Sequence, residues 1–286
     1  MHIPVLLKET LEALDVKENE NYIDCTLNGG GHTKEILKRN GPDGKVLGIE
    51  IDKEIFDRVP KQERLVAIND SYANLEEIVR KNEFENVKGI LFDIGMSSYH
   101  VDEAKRGFSF QKDEPLLMSY GEGLSAEEIV NDWSEEEIEK IIREYGEENF
   151  AKKIAKKIVE KRRGEKIRST FQLVSIIKEA TPGSYHHNKT HFATRTFQAL
   201  RIAVNDELNN FRSALPQALN VLDKGGRLAA ISFHSLEDRI IKEFLKEKEK
   251  SGELKIITKK PITPGDGEIQ NNPRSRSAKL RTAIKI

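Results

Sequence analysis

The stretch Asp24-Cys25-Thr26-Leu27-Asn28-Gly29-Gly30-Gly31-His32 decides how this chain is read. A short apolar run over residues 21–26 stops at the glycine cluster, and a helical pattern from His32 to Asn40 follows. Glycines between a strand and a helix let a ligand approach the backbone, and the helix start offers free N–H groups. Glu50 lies 20 residues after Gly30, near the end of a second buried run from Lys45 to about Ile51. An acid at that spacing can accept the hydroxyls of a ribose. Asp93 closes a further apolar run, residues 87–95, on the same edge of the sheet. Ligands of open α/β sheets bind outside the carboxyl ends of the strands, so these features together describe a site for a nucleoside-containing cofactor. Spacing alone leaves the cofactor open. The dinucleotide fingerprint is G-x-G-x-x-G, whereas Asn28 to Gly31 reads N-G-G-G; S-adenosylmethionine, with no phosphate, needs only close backbone approach. An ordinary strand-to-helix turn with a surface Glu is the plainer reading.

Outward from this stretch, a strand is expected over 64–69 and a helix over about Leu75 to Asn82. Strand and helix alternating at this spacing imply a parallel sheet covered on both faces. The pattern then changes. From Ser125 to Arg163 the chain reads as helical, with Ser125/Glu128 and Ser134/Glu137 as capping boxes; Ser169/Gln172 opens another helix, which Thr181-Pro182-Gly183 ends. Residues 182–193 read as an exposed loop, and about Thr194 to Leu222 as a single helix ending near Gly225-Gly226. A fifth strand follows over 227–233, then two more over 254–260 and 279–286, separated by a Pro/Gly-rich loop at 261–273. The simplest account is a sheet domain, residues 1–104 and 205–286, interrupted by a helical domain at 105–204.

Composition narrows the class. The 286 residues are 37% hydrophobic and 33% charged, which fits a soluble globular protein and excludes a disordered one. Cys25 is the single cysteine, which excludes an internal disulfide or a cysteine-based zinc site and suits a reducing cytosol. Lys8 and Glu9 interrupt the first apolar run too early for a signal peptide, and no run approaches the roughly 18 residues of a membrane span. A cytoplasmic protein is therefore expected, with no membrane partner. The net charge of −1 hides an asymmetry: residues 105–149 carry −8, 150–204 carry +10 and 252–286 carry +5. Basic blocks on a near-neutral chain suggest a localised anionic partner such as nucleic acid; solvated helix faces are the bland alternative. His186, His187 and His191 have ligand-like spacing but no accompanying acids or cysteines, so a basic loop is preferred and no metal is expected.

Three later segments are far more specific: Phe92-Asp93-Ile94-Gly95-Met96-Ser97-Ser98 with Arg106-Gly107-Phe108-Ser109-Phe110; His191 to Ile202 (HFATRTFQALRI) with Asn205 and Glu207; and Ile231-Ser232-Phe233-His234-Ser235-Leu236-Glu237-Asp238-Arg239. Together with His2-Ile3-Pro4-Val5-Leu6-Leu7 and Asn272-Pro273-Arg274-Ser275-Arg276-Ser277, they resemble, in order and across the whole chain, the bacterial 16S ribosomal RNA (cytosine-N4)-methyltransferase family, RsmH or MraW. The resemblance implies a class I, Rossmann-like methyltransferase sheet with an inserted all-helical substrate-recognition domain. It also implies S-adenosylmethionine as donor and a decoding-centre cytidine of 16S ribosomal RNA, within the small subunit, as acceptor. The family's cofactor contacts fall here on Gly30, Gly31, His32, Glu50, Tyr72, Asp93 and His100. Glu50 stands where Asp is usual, Tyr72 where Phe is usual, and Asn28 where a glycine is usual; Asn tolerates positive φ better than most residues. The family's L-D-M-R-M-D is here Leu116-Leu117-Met118-Ser119-Tyr120-Gly121, without its acid and its arginine.

The expected catalytic residues are Asp93, which would organise donor and amine, and His234, which would contact the target nucleotide or accept a proton. A His hydrogen-bonded within a turn is the other reading of His234. Arg195, Arg201 and Arg239 are candidate RNA contacts or structural ion pairs, and Phe192, Phe197 and Trp133 read as core rather than stacking residues. The +10 segment is the expected track for the RNA backbone. Competing readings are a methyltransferase for another nucleic-acid amine such as adenine N6, a non-catalytic ribosome-assembly factor, and a dehydrogenase.

Overall fold

A computed structural model describes residues 4–286; His2 and Ile3 of the N-terminal motif lie outside the described residues. The chain forms two compact units, Met1–Ser97 with Leu208–Ile286, and Ser98–Glu207. These junctions stand a few residues outside the expected 104/105 and 204/205.

The first unit opens with α1 (Leu7–Leu14), β1 (Asn21–Asp24), α2 (Gly31–Arg39), β2 (Val46–Glu50), α3 (Lys53–Phe56), β3 (Leu65–Asn69), α4 (Leu75–Lys81) and β4 (Val87–Asp93). The second holds α5 (Ser98–Asp102), α6 (Ala126–Asp132), α7 (Glu135–Glu144), α8 (Ala151–Arg162), α9 (Thr170–Ala180) and α10 (Thr194–Asn205). The chain returns through α11 (Glu207–Val221) to β5 (Arg227–Ser232), α12 (Ser235–Lys250), β6 (Leu254–Ile256), α13 (Asp266–Asn271) and β7 (Lys279–Lys285).

The seven strands lie in the order β3-β2-β1-β4-β5-β7-β6. The pairs among β1 to β5 are parallel, and β7 runs antiparallel to both β5 and β6. This is the class I methyltransferase sheet. Every residue of β2 is buried and β4 is nearly so, as strands covered on both faces should be. Chain order reverses between β1 and β4, the switch point where open α/β sheets bind ligands. Asp24, Glu50, Asp93 and Ser232 end β1, β2, β4 and β5 on one rim there.

In the helical unit the three expected capping boxes are formed, Ser125 with Glu128, Ser134 with Glu137 and Ser169 with Gln172. Ile138, Ile141 and Ile142 of α7 and Ile154, Ala155 and Ile158 of α8 turn inward, leaving Lys152, Lys153 and Lys156 in solvent. Three elements differ from expectation. The long helix over Thr194 to Leu222 is two helices, because Asp206 takes the left-handed conformation (φ 49°) that Asp adopts more readily than most residues. The final Pro/Gly-rich loop contains α13 and a 3₁₀ turn, Pro273–Ser277. β6 ends at Ile256, well short of Lys260. Among the described residues no helix is long and apolar enough to cross a membrane.

Candidate active site at the carboxyl rim of the sheet

The rim is held together by its acids, and each is bonded differently. Asp24 is buried, and both of its oxygens are occupied. Its Oδ1 accepts from the Thr26 amide at 3.1 Å and Oδ2 accepts from the Thr33 hydroxyl at 2.7 Å. Burial pushes its carboxyl pKa up. Beyond it the chain turns through Asn28 (φ 47°) and Gly30 (φ 72°), the left-handed conformations expected of this turn. Gly31 opens α2 so close to Pro4 that an added Cβ would stand 2.4 Å from Pro4 Cγ.

Glu50 points at this turn. Its Oε2 accepts from the Asn28 amide and its Oε1 from the Asp52 amide, both at 2.8 Å. Each oxygen therefore keeps one lone pair for a further donor. Burial, at 5% exposure, pushes the carboxyl up to about 7, against the two amides that favour its charged form. Tyr72 follows β3 in a short 3₁₀ turn, half-buried, its ring edge-on to Phe92 at 5.7 Å.

Asp93 ends β4. Its amide donates to Thr26 Oγ1 at 2.6 Å, which ties the ends of β4 and β1 together. Oδ2 faces His32 Nδ1 at 3.5 Å, while Oδ1 is buried with no hydrogen-bond partner among the described residues. Burial is the main reason its carboxyl is pushed up to about 6. An orphaned buried oxygen costs free energy, which a bound donor can recover. The next residues are pinned: the Ile94 amide donates to the Ile231 carbonyl at 3.0 Å, and a Cβ on Gly95 would meet the Phe233 ring at 2.5 Å.

The structure brings Gly30, Gly31, His32, Glu50, Tyr72 and Asp93 to this rim. His32 is there as a strut, 5% exposed, with Nε2 donating to the Val5 carbonyl at 3.0 Å and Nδ1 facing Asp93. His234 also sits at the rim, as the N-cap of α12. Its Nδ1 accepts from the Glu237 amide at 3.4 Å, and its Nε2 is buried 2.9 Å from Glu237 Oε1. In this structure the imidazole caps α12. Glu237 completes the cap by accepting from the Phe233 and His234 amides. Sequence reasoning passed over Thr26, Thr33 and Asp52 as well. Asp52, the side-chain cap of α3, carries a capping signal; the threonines carry none.

His100 belongs to the helical unit, buried among aromatic rings at 5.0 Å from Phe108 and 4.7 Å from Tyr120. The altered segment is built into that unit. Tyr120 stacks on Phe108 and donates its hydroxyl to Glu207 at 3.0 Å, while Asn205 binds the Met118 carbonyl at 2.7 Å. Arg201 is ion-paired with Glu207 at 2.9 Å, and Arg195 donates to the Glu147 carbonyl. Phe192 and Phe197 are buried, as core residues should be.

The chain is 46% identical over 306 aligned positions to the ribosomal RNA small subunit methyltransferase H of Clostridium botulinum (strain Kyoto / Type A2), covering 100% of this chain and 99% of that one. It is 44% identical to the protein of the same name from Halothermothrix orenii, covering 100% and 98%. Among solved structures, an rRNA methylase from Streptococcus thermophilus superposes with a TM-score of 0.47 at 11% identity, covering 100% of this chain and 99% of that one. The profile of the MraW methylase family matches residues 1–286. With its sheet, its rim and relatives of this similarity, the chain belongs to the MraW methylase family.

Proposed function

We propose that the chain transfers a methyl group from S-adenosylmethionine to the N4 amine of a cytidine in the decoding centre of 16S ribosomal RNA. The relatives are named for methylation of the small-subunit RNA. The observation that carries the chemistry is Asp93 Oδ1, a buried acceptor without a partner beside the glycine turn.

The donor set fits an adenosine sulfonium. Glu50 offers a spare lone pair on each oxygen to the ribose hydroxyls. Gly30 and Gly31 expose backbone, and Tyr72 offers an aromatic edge for the adenine. The bound cofactor supplies an electrophilic methyl group on a positively charged sulfur. The acceptor amine is the harder partner, because its lone pair is delocalised into the cytosine ring. Asp93 Oδ1 accepts an amine hydrogen as positive charge develops on that nitrogen, and the pinned Ile94-Gly95 backbone keeps the acceptor in place. His234 serves by fixing the start of α12. A base inside a duplex is out of reach, so the target is unpaired or flipped out.

The test uses small subunits lacking the modification, with the product nucleoside identified by mass. N4-methylcytidine is expected; a methylated adenine, or cofactor binding without turnover, would overturn the reading. Asp93→Asn is expected to lower kcat by about 10²–10⁴-fold, the contribution of a positioned proton acceptor.

A further inference from the structure

Away from the rim, α12, β6 and β7 enclose a groove of about 330 Å³. Leu245 and Ile256 form its apolar wall, and the cations Lys242, Lys246, Lys259 and Arg281 line it. We infer that this groove takes a phosphodiester of the RNA substrate's backbone; the inference rests on the proposed function.

Arg281 is 8% exposed, and Asp238 fixes it through Nε at 2.6 Å and Nη2 at 3.2 Å. Its Nη1 has no hydrogen-bond partner among the described residues. Lys242, Lys246 and Lys259 are exposed, with no ion pair or hydrogen bond among the described residues. Lys242 and Lys246 stand one turn apart on α12, an arrangement of like charges that disfavours the helix and that an anion between them relieves. Glu249 is the groove's one free-standing acid, and it accepts from the Ile256 amide at 2.9 Å. Arg281 and Asp238 cancel, so three lysines face one carboxylate. A fixed guanidinium ringed by lysines beside an apolar wall suits a phosphate with its sugar.

The position fits an extended partner. α12 leaves the rim at His234, and at ~1.5 Å per residue Lys242 and Lys246 lie ~12–18 Å along it. Phosphates bound there belong to nucleotides well away from the methylated one. From the basic stretch 252–286 the groove draws Lys259 and Arg281, in a different unit from the +10 segment.

The experiment compares the full chain with its Lys242→Ala/Lys246→Ala/Lys259→Ala variant on protein-free small-subunit RNA across a salt series. Melting midpoint, S-adenosylmethionine affinity and kcat are expected to be unchanged. KM for the RNA is expected to rise, and the slope of log affinity against log salt to become shallower by about 2, three contacts at about 0.7 each. A slope and KM equal to those of the unsubstituted chain would overturn the inference. So would a defect seen only on assembled subunits, which would mean that the groove meets a ribosomal protein. A chain that binds the RNA but methylates neither it nor small subunits lacking the modification would sink the proposed function, while the salt series still judges the groove.

Discussion

Acidification is expected to weaken cofactor binding, and Glu50 sets the scale. On the proposed function its carboxylate accepts ribose hydroxyls in its charged form while holding the Asn28 and Asp52 amides. Burial lifts it from 4.5 to about 7, so between those values the folded, cofactor-free chain keeps a proton that the unfolded chain has lost. The folded state is therefore penalised as pH rises through that window, by about 3 kcal/mol at the top of it. Binding runs the other way, because the cofactor needs the charged form. With a pKa of about 7, the fraction ionised falls from nearly all at pH 8 to roughly a tenth at pH 6, a ~10-fold loss of affinity. Asp93, pushed up to about 6, adds a further ~2-fold if it too must be charged. Calorimetric titration with S-adenosylmethionine at pH 6, 7 and 8 reads this directly. Glu50→Gln is expected to flatten the profile and to weaken binding at pH 8 by about 10–100-fold, the worth of a hydrogen bond to a charged group. Equal affinity at pH 6 and 8, or an unchanged profile in Glu50→Gln, would refute the reasoning.

Two further substitutions probe how the rim is held. Gly95→Ala drives a Cβ into the Phe233 ring, so we expect a loss of about 1–3 kcal/mol in a denaturant melt and a drop in methyl transfer; a variant with full stability and rate would show that the loop is free to shift. His234→Ala removes the α12 cap, so the melting midpoint should fall by about 2–4 °C for about 1 kcal/mol while kcat is largely kept. A collapse of kcat at an unchanged midpoint would make the imidazole a catalytic group after all.

The sheet was legible because its strands are covered on both faces and read as unbroken apolar runs, and because Ser125, Ser134 and Ser169 each announce a helix with an acid or amide three residues on. The break at Asp206 was not, since a single left-handed residue leaves the apolar spacing of α10 and α11 almost continuous. The capping place of His234 was hidden for a related reason. Ser, Thr, Asp and Asn are the usual N-caps, and an imidazole in that place reads as chemistry before it reads as a cap. The partnership of His32 with Asp93 joins residues far apart in sequence that meet only through the pairing of β1 with β4. No local pattern encodes it.

That partnership constrains where a proton sits. A carbonyl only accepts, so the hydrogen bond to Val5 places a hydrogen on His32 Nε2. His32 Nδ1 faces Asp93 Oδ2 at 3.5 Å, so the imidazole, anchored at the Val5 carbonyl, sets the direction of that carboxyl. Along the same rim the three acids differ in what they have left to give. Asp24 accepts from Thr26 and Thr33, Glu50 accepts one backbone amide on each oxygen, and Asp93 turns one oxygen to His32 while its Oδ1 has no hydrogen-bond partner among the described residues. On the proposed function these differences divide the work: Asp24 fixes the turn, Glu50 would hold a ligand's hydroxyls while fixing the turn, and the unpartnered Oδ1 of Asp93 would accept from the group whose charge changes during reaction.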